Sequence, residues 1–115
     1  MSSIGSSRKL NLPLESEIQR GILDYLKLRG YLCKRNNSGK IISHRRGKTW
    51  AVNLGAAGWP DIIGLTKGGK FFGIEVKRPG EEATEIQKEI GLQIEMSGGI
   101  WFVAHSIDEV IEAGL

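Results

Sequence analysis

The hydropathy pattern predicts an α/β domain: a mixed β-sheet flanked by helices on both sides, in the order α-β-(basic insert)-β-β-α-β-α. Three observations carry this. Apolar residues recur at helical spacing from Leu14 to Leu28 and again after Thr84. Short strand-like runs bounded by glycine and proline lie between these stretches. A continuous apolar run, Ile100 to Ala104, reads as a strand covered on both faces and returns the chain to the sheet after the second helix.

The first helix places Leu14, Ile18, Ile22, Tyr25 and Leu26 on one stripe, with Glu17, Gly21 and Asp24 beside it and Gly30 as its stop. Tyr31 to Asn36 is then a strand ended by Asn37-Ser38-Gly39. Lys40 to Gly58 is either mostly loop or a short hairpin turning at Arg46-Gly47. Asp61 to Leu65 and Lys70 to Lys77 form two strands around Lys67-Gly68-Gly69. Pro60 and Pro79 stand at their outer ends, where a missing N–H is tolerated. Thr84 and Gln87 have capping-box spacing, and Ile86, Ile90 and Ile94 supply the expected buried stripe. Gly98-Gly99 stops that helix, and Ser106 with Glu109 forms a second capping box opening a terminal helix through Ala113.

A chain of 115 residues, 40% apolar and a quarter charged, has the composition of one globular domain. Residues 1–12 read as a flexible tail and residues 13–115 as the domain. The tail is rich in serine, carries Arg8 and Lys9 and lacks an apolar segment, so it does not read as a secretory signal. No apolar run is long enough for a membrane span. The single cysteine, Cys33, excludes an internal disulfide and a cysteine-based zinc site, and reads as a small core residue. Together these features predict a cytoplasmic protein, within the host cell if viral.

Net charge is only +3, but it is unevenly distributed. Tyr25 to Pro60 contains no acid and holds Lys27, Arg29, Lys34, Arg35, Lys40, Arg45, Arg46 and Lys48, half of all lysines and arginines. From Gly80 onward there are eight acids and one base, Lys88. Any one of these charges is ordinary solvated surface. An acid-free basic block can neutralise backbone phosphates, and Arg35, Ser38, Lys40, His44, Arg45, Arg46 and Lys48 are its candidate nucleic-acid contacts.

The chemistry concentrates in two strings, Gly58-Trp59-Pro60-Asp61 and Ile74-Glu75-Val76-Lys77. If the hairpin is symmetric about Gly68, Leu65 faces Phe71 and Asp61 faces Glu75, with side chains about 5 Å apart at Cβ. Glu75 and Lys77, two apart, point to the same face. Two carboxylates and a lysine then converge, as a magnesium-dependent phosphodiesterase requires. A tight two-residue turn at Gly68-Gly69 would instead set Asp61 opposite Val76 and separate the carboxylates. Opposed carboxylates are destabilising unless a cation lies between them. Lys77 has the plainer alternative of a surface pair with Glu75, Asp61 that of a turn residue, and Gln87 that of a helix cap.

Asp61, Glu75, Lys77 and Gln87, in this order and on these elements, resemble the virus-type replication–repair nuclease (VRR-NUC) domain of the PD-(D/E)xK superfamily. The likeness spans nearly the whole chain, from Glu15 or Glu17 through Arg35-Asn36-Asn37-Ser38-Gly39 to the terminal helix. It implies a restriction-endonuclease-like core and a metal-dependent, structure-selective DNA endonuclease. It further implies a Holliday-junction-resolvase-like homodimer acting on branched DNA in replication, recombination or repair. Asp61, Glu75 and the Val76 carbonyl would hold Mg²⁺ or Mn²⁺, with Lys77 and Gln87 assisting. A first-helix glutamate completes such sites; Glu17 is the choice over Glu15, which lies nearer the helix end. The alternatives are a flap- or end-processing nuclease and a nucleic-acid-binding module with little or no cleavage activity. No nucleotide cofactor is expected, because Gly47-Lys48-Thr49 lacks the earlier glycine of a phosphate loop, Ile42 standing in its place.

Overall fold

The computed structural model describes residues 12–36, 40–53 and 57–115. It contains α1 (Glu15–Leu28), β1 (Leu32–Arg35), β2 (Lys40–Arg45), β3 (Lys48–Asn53), β4 (Ile62–Leu65), β5 (Phe71–Val76), α2 (Glu85–Met96), β6 (Ile100–Ala104) and α3 (Ile107–Glu112). A mixed four-stranded sheet runs in the order β1-β4-β5-β6. The first two pairings are antiparallel and β5–β6 is parallel, as a strand–helix–strand crossover requires. The core order is the predicted one. No helix among the described residues is long and apolar enough to cross a membrane.

One face of the sheet meets α1 and α3. Ile18, Ile22, Leu23 and Leu26 of α1 pack with Ile62, Phe72, Ile74, Val76 and Ala104 of the sheet and with Val110 and Leu115. The first helix therefore buries the stripe its periodicity predicts, with Leu23 added. Leu14 is the exception, standing outside the helix as its exposed N-cap residue. The helix closes through Gly30 at φ 86°, with Tyr31 N–H donating to the Leu26 carbonyl at 3.0 Å. Cys33 packs partly buried against this core, which pushes its thiol pKa up.

The opposite face receives α2, with two corrections to the expected burial. Ile86 is exposed and Ile90 only half-buried; Gly91 and Ile94 are the residues turned inward. The cause is Trp101 of β6, whose indole lies where a Cβ on Gly91 would fall, 2.3 Å from Cδ2. The helix comes close to the sheet at its glycine rather than through an isoleucine ridge. The second correction concerns β6. Helices reach both of its faces, Trp101 meeting α2 and Ile100 and Phe102 packing on the α1 and α3 side, but as an edge strand it is only half-buried except at Ala104.

The Thr84–Gln87 capping box forms in both directions. The predicted Ser106–Glu109 box forms only in one, with Ser106 Oγ accepting from Glu109 N–H at 3.3 Å. The Glu109 carboxylate is instead taken by His105, accepting from its backbone N–H at 2.6 Å and lying 2.9 Å from its ring Nδ1. His105 Nε2 in turn lies 2.8 Å from the Glu81 carbonyl oxygen. Acceptors on both ring nitrogens favour the imidazolium and raise the His105 pKa. The basic insert is a hairpin, β2 with β3, whose residues Arg46 (φ 50°) and Gly47 (φ 75°) both lie in the left-handed region.

Candidate metal and phosphate site

The β4–β5 register decides whether the two sequence strings meet. Ile62 pairs with Ile74 and Leu65 with Phe71, which is the symmetric register about Gly68. The connection is a five-residue loop, closed by Thr66 N–H to the Lys70 carbonyl at 2.8 Å and Lys70 N–H to Thr66 Oγ1 at 3.0 Å. The two-residue turn does not form. Asp61, one residue before β4, therefore lies beside Glu75, and its Oδ2 accepts from the Val76 N–H at 2.8 Å.

Two further contacts fix Asp61. Asn36, just past β1, donates its backbone N–H to the Asp61 carbonyl at 2.7 Å and its side-chain Nδ2 to the Pro60 carbonyl at 3.1 Å. Pro60 is fully buried against Gly73, where a Cβ would come within 2.5 Å of the proline Cγ. The absent side chain at position 73 thus lets the Trp59-Pro60-Asp61 segment lie directly on the sheet. Asn36 and Gly73 are positioning residues that neither motif string revealed. A strand glycine admitting close backbone approach was the only available signal.

Glu75 is completely buried, and is the only charged residue so placed among the described residues. Its Oε1 accepts from Gln87 Nε2 at 3.2 Å, while Oε2 has no hydrogen-bond partner. The buried Trp101 Nε1 also lacks one; it lies near enough to favour the carboxylate slightly without closing a hydrogen bond. Burial, then the neighbouring Asp61 charge, push the Glu75 pKa up to about 8, against the opposing pull of Lys77. Burial also raises Asp61, opposed by the Val76 N–H and by Lys77. Two neighbouring carboxyls that resist ionisation, one with an orphaned buried oxygen, form a site short of positive charge.

Gln87 combines both roles considered for it. Its Oε1 accepts from the Thr84 N–H at 2.8 Å, completing the capping box, and its Nε2 is left to hold Glu75. Lys77 is partly exposed and forms no ion pair within 4 Å among the described residues, so the surface pair with Glu75 does not form. Its charge nonetheless acts on Asp61, Glu75 and Glu15.

The first-helix glutamate that senses the site is Glu15. Burial, then the Asp61 charge, raise its pKa, and Lys77 lowers it. Glu17 is exposed. Both glutamates lie in the first turn of the helix, and Glu17, two residues on, is rotated about 200° round the axis from Glu15 and so away from the site. Among the described residues, no three histidine, cysteine, aspartate or glutamate side chains converge as a ready-made metal cluster. The assembled donors are the carboxylates of the Asp61–Glu75 pair.

The basic candidates are dispersed. Arg35 is exposed at the end of β1, opposite Ile62 and so adjacent to Asp61 along β4. Arg46 and Lys48 are exposed at the tip of the β2–β3 hairpin. The backbone places Lys40, His44 and Arg45 on β2, whereas Ser38 lies outside the described residues. No family model matches this chain. No curated protein matches it either.

Proposed function

We propose that this chain is a metal-dependent nuclease with a restriction-endonuclease-like PD-(D/E)xK core, hydrolysing phosphodiester bonds in DNA. The observation that carries the reading is Glu75: a fully buried carboxylate beside Asp61, with one oxygen held by Gln87 and the other unpartnered. Leaving such a group without a cation costs free energy, whereas a hard divalent cation bound through oxygen removes both the repulsion and the orphan. Asp61, Glu75 and the Val76 carbonyl would hold Mg²⁺ or Mn²⁺. Two carboxylates suffice for a cation that retains several of its waters. When bound, it supplies Lewis acidity and positive charge at a phosphoryl oxygen.

The remaining work falls to this chain's own side chains. Lys77, partly exposed and without a partner among the described residues, offers a fixed positive charge to the attacked phosphate. Gln87 and the Val76 N–H hold the two carboxylates in place. Glu15, facing the pair from the start of α1, replaces Glu17 as the fourth corner. Arg35 and the hairpin tip supply phosphate contacts, and a homodimer would present two such sites to a symmetric branched substrate.

The test is a cleavage panel of labelled junction, flap, nicked, duplex and single-stranded DNA, with Mg²⁺ or with EDTA. Cleavage that requires Mg²⁺ and disappears in Asp61→Asn, with DNA binding retained, is the expected result. Cleavage surviving Asp61→Asn would remove the site assignment. Sedimentation of the protein alone addresses the dimer, and a monomer at assay concentration would redirect the reading from junctions to flaps or ends.

A further inference from the structure

Helix α2 covers only the β5–β6 half of its face of the sheet. Gly73 of β5 meets Pro60 and Ile94 of α2, which identifies the face. Pairing then carries Ile63 and Leu65 of β4, and Leu32 and Lys34 of β1, onto it. No described helix lies over these four residues, and Leu32 is 73% exposed. Two clefts meet here at Phe71. One, of about 340 Å³, is lined by Leu32, Lys34, Ile63 and Leu65; the other, of about 430 Å³, by Trp59, Lys70, Ile90 and Gln93. Trp59 stands edge-on to Phe71, with ring centroids 6.5 Å apart, and is 38% exposed.

The charge of this surface is one-sided. Among the described residues, Lys34 and Lys70 are the only charged side chains lining either cleft, and no carboxylate does so. An apolar and aromatic floor rimmed by lysines matches an unpaired nucleic-acid strand, whose bases stack on aromatic rings while its phosphates meet the cations. An intact duplex offers phosphates but keeps its base faces stacked inside. A second copy docking through a two-fold axis would set this basic surface against itself. The surface also continues to the carboxylate pair. Phe71 and Glu75 lie on the same face of β5, four residues or about 13 Å apart.

We propose, on the nuclease reading given above, that this uncovered half-face is the track for an unpaired strand. Trp59 stacks on a base, and Lys34 and Lys70 hold its backbone as the strand runs toward Asp61 and Glu75. The substrate class is then a DNA with a single-stranded arm, such as a flap or a splayed junction, and not an uninterrupted duplex.

Binding of a fluorescein-labelled oligothymidylate, followed by anisotropy in EDTA across a salt series, tests the track without cleavage. Trp59→Ala should weaken binding about tenfold, and Trp59→Tyr should restore most of it. Lys70→Glu should weaken binding and flatten its salt dependence. Leu92→Ala, exposed elsewhere on α2, should leave it unchanged. Duplex affinity should respond to none of these. Oligothymidylate binding that is indifferent to both Trp59→Ala and Lys70→Glu would overturn the track. So would a dimer that Leu32→Glu dissociates, since a second copy would then occupy the face. Because these measurements exclude metal, failure of the track is distinct from failure of the cleavage test with Asp61→Asn.

Discussion

Glu75 concentrates the residue-scale argument, because a buried carboxylate in an apolar sheet has to be explained by what surrounds it. Gln87 holds one oxygen and nothing holds the other. The Gln87 amide does two things at once, and Gln87→Glu separates them. Glutamate at this position preserves the capping box with Thr84 but cannot donate to Glu75. The substitution should therefore leave α2 intact by circular dichroism while lowering Mg²⁺-dependent cleavage by about tenfold or more. Unchanged cleavage would reduce Gln87 to a helix cap. Part of this scale was legible in the sequence: hairpin pairing sets Asp61 beside Glu75 and capping-box spacing brings Gln87 to Glu75, both by local rules. Asn36 was not, since its hydrogen bonds to Pro60 and Asp61 cross at least 24 residues of sequence. Nor was the partial burial of Glu15 beside an exposed Glu17, which depends on how α1 docks against the sheet.

At the scale of elements, two glycines set the distances. Gly73 lets Pro60 lie on β5, and Gly91 lets α2 settle over Trp101. Gly73→Ala would drive a methyl group into the Pro60 ring. We expect a loss of about 1–3 kcal/mol in chemical denaturation, the usual cost of overpacking, and a fall in cleavage beyond what stability explains, because Asp61 follows Pro60 directly. Full activity in a destabilised Gly73→Ala would show that Asp61 is positioned independently of that contact. The helix and strand order follows from periodicity and turn residues, and β4–β5 pairs in the register that brings Asp61 beside Glu75. Burial on α2 was less legible. Three isoleucines at helical spacing predict a buried stripe, but close approach at a glycine facing a tryptophan rotated the helix and left Ile86 outside. The apolar β6 run overstated burial, because helices reach both faces of this edge strand without covering it fully.

For the molecule as a whole, the acidic pair is a stability liability when it holds no cation. Glu75 stays protonated in the folded state up to about 8, whereas unfolding returns it toward 4.5. Between those values the folded chain holds the extra proton, so rising pH favours unfolding. His105 acts in the same direction: its raised pKa contributes stability below 6.5 that is lost as pH climbs through its folded value. Comparison with Glu75→Gln isolates the carboxylate from the histidine. The most direct test of a cation site at Asp61 and Glu75 is therefore the melting temperature between pH 5 and pH 9 of wild type and Glu75→Gln, each with EDTA or Mn²⁺. The wild-type protein should lose stability with rising pH in EDTA and regain it with Mn²⁺. Glu75→Gln should show a shallower pH dependence and little response to the ion. A wild-type melting temperature that ignores Mn²⁺ at high pH, or a Glu75→Gln protein that responds to it equally, would contradict the assignment of this pair as a metal site.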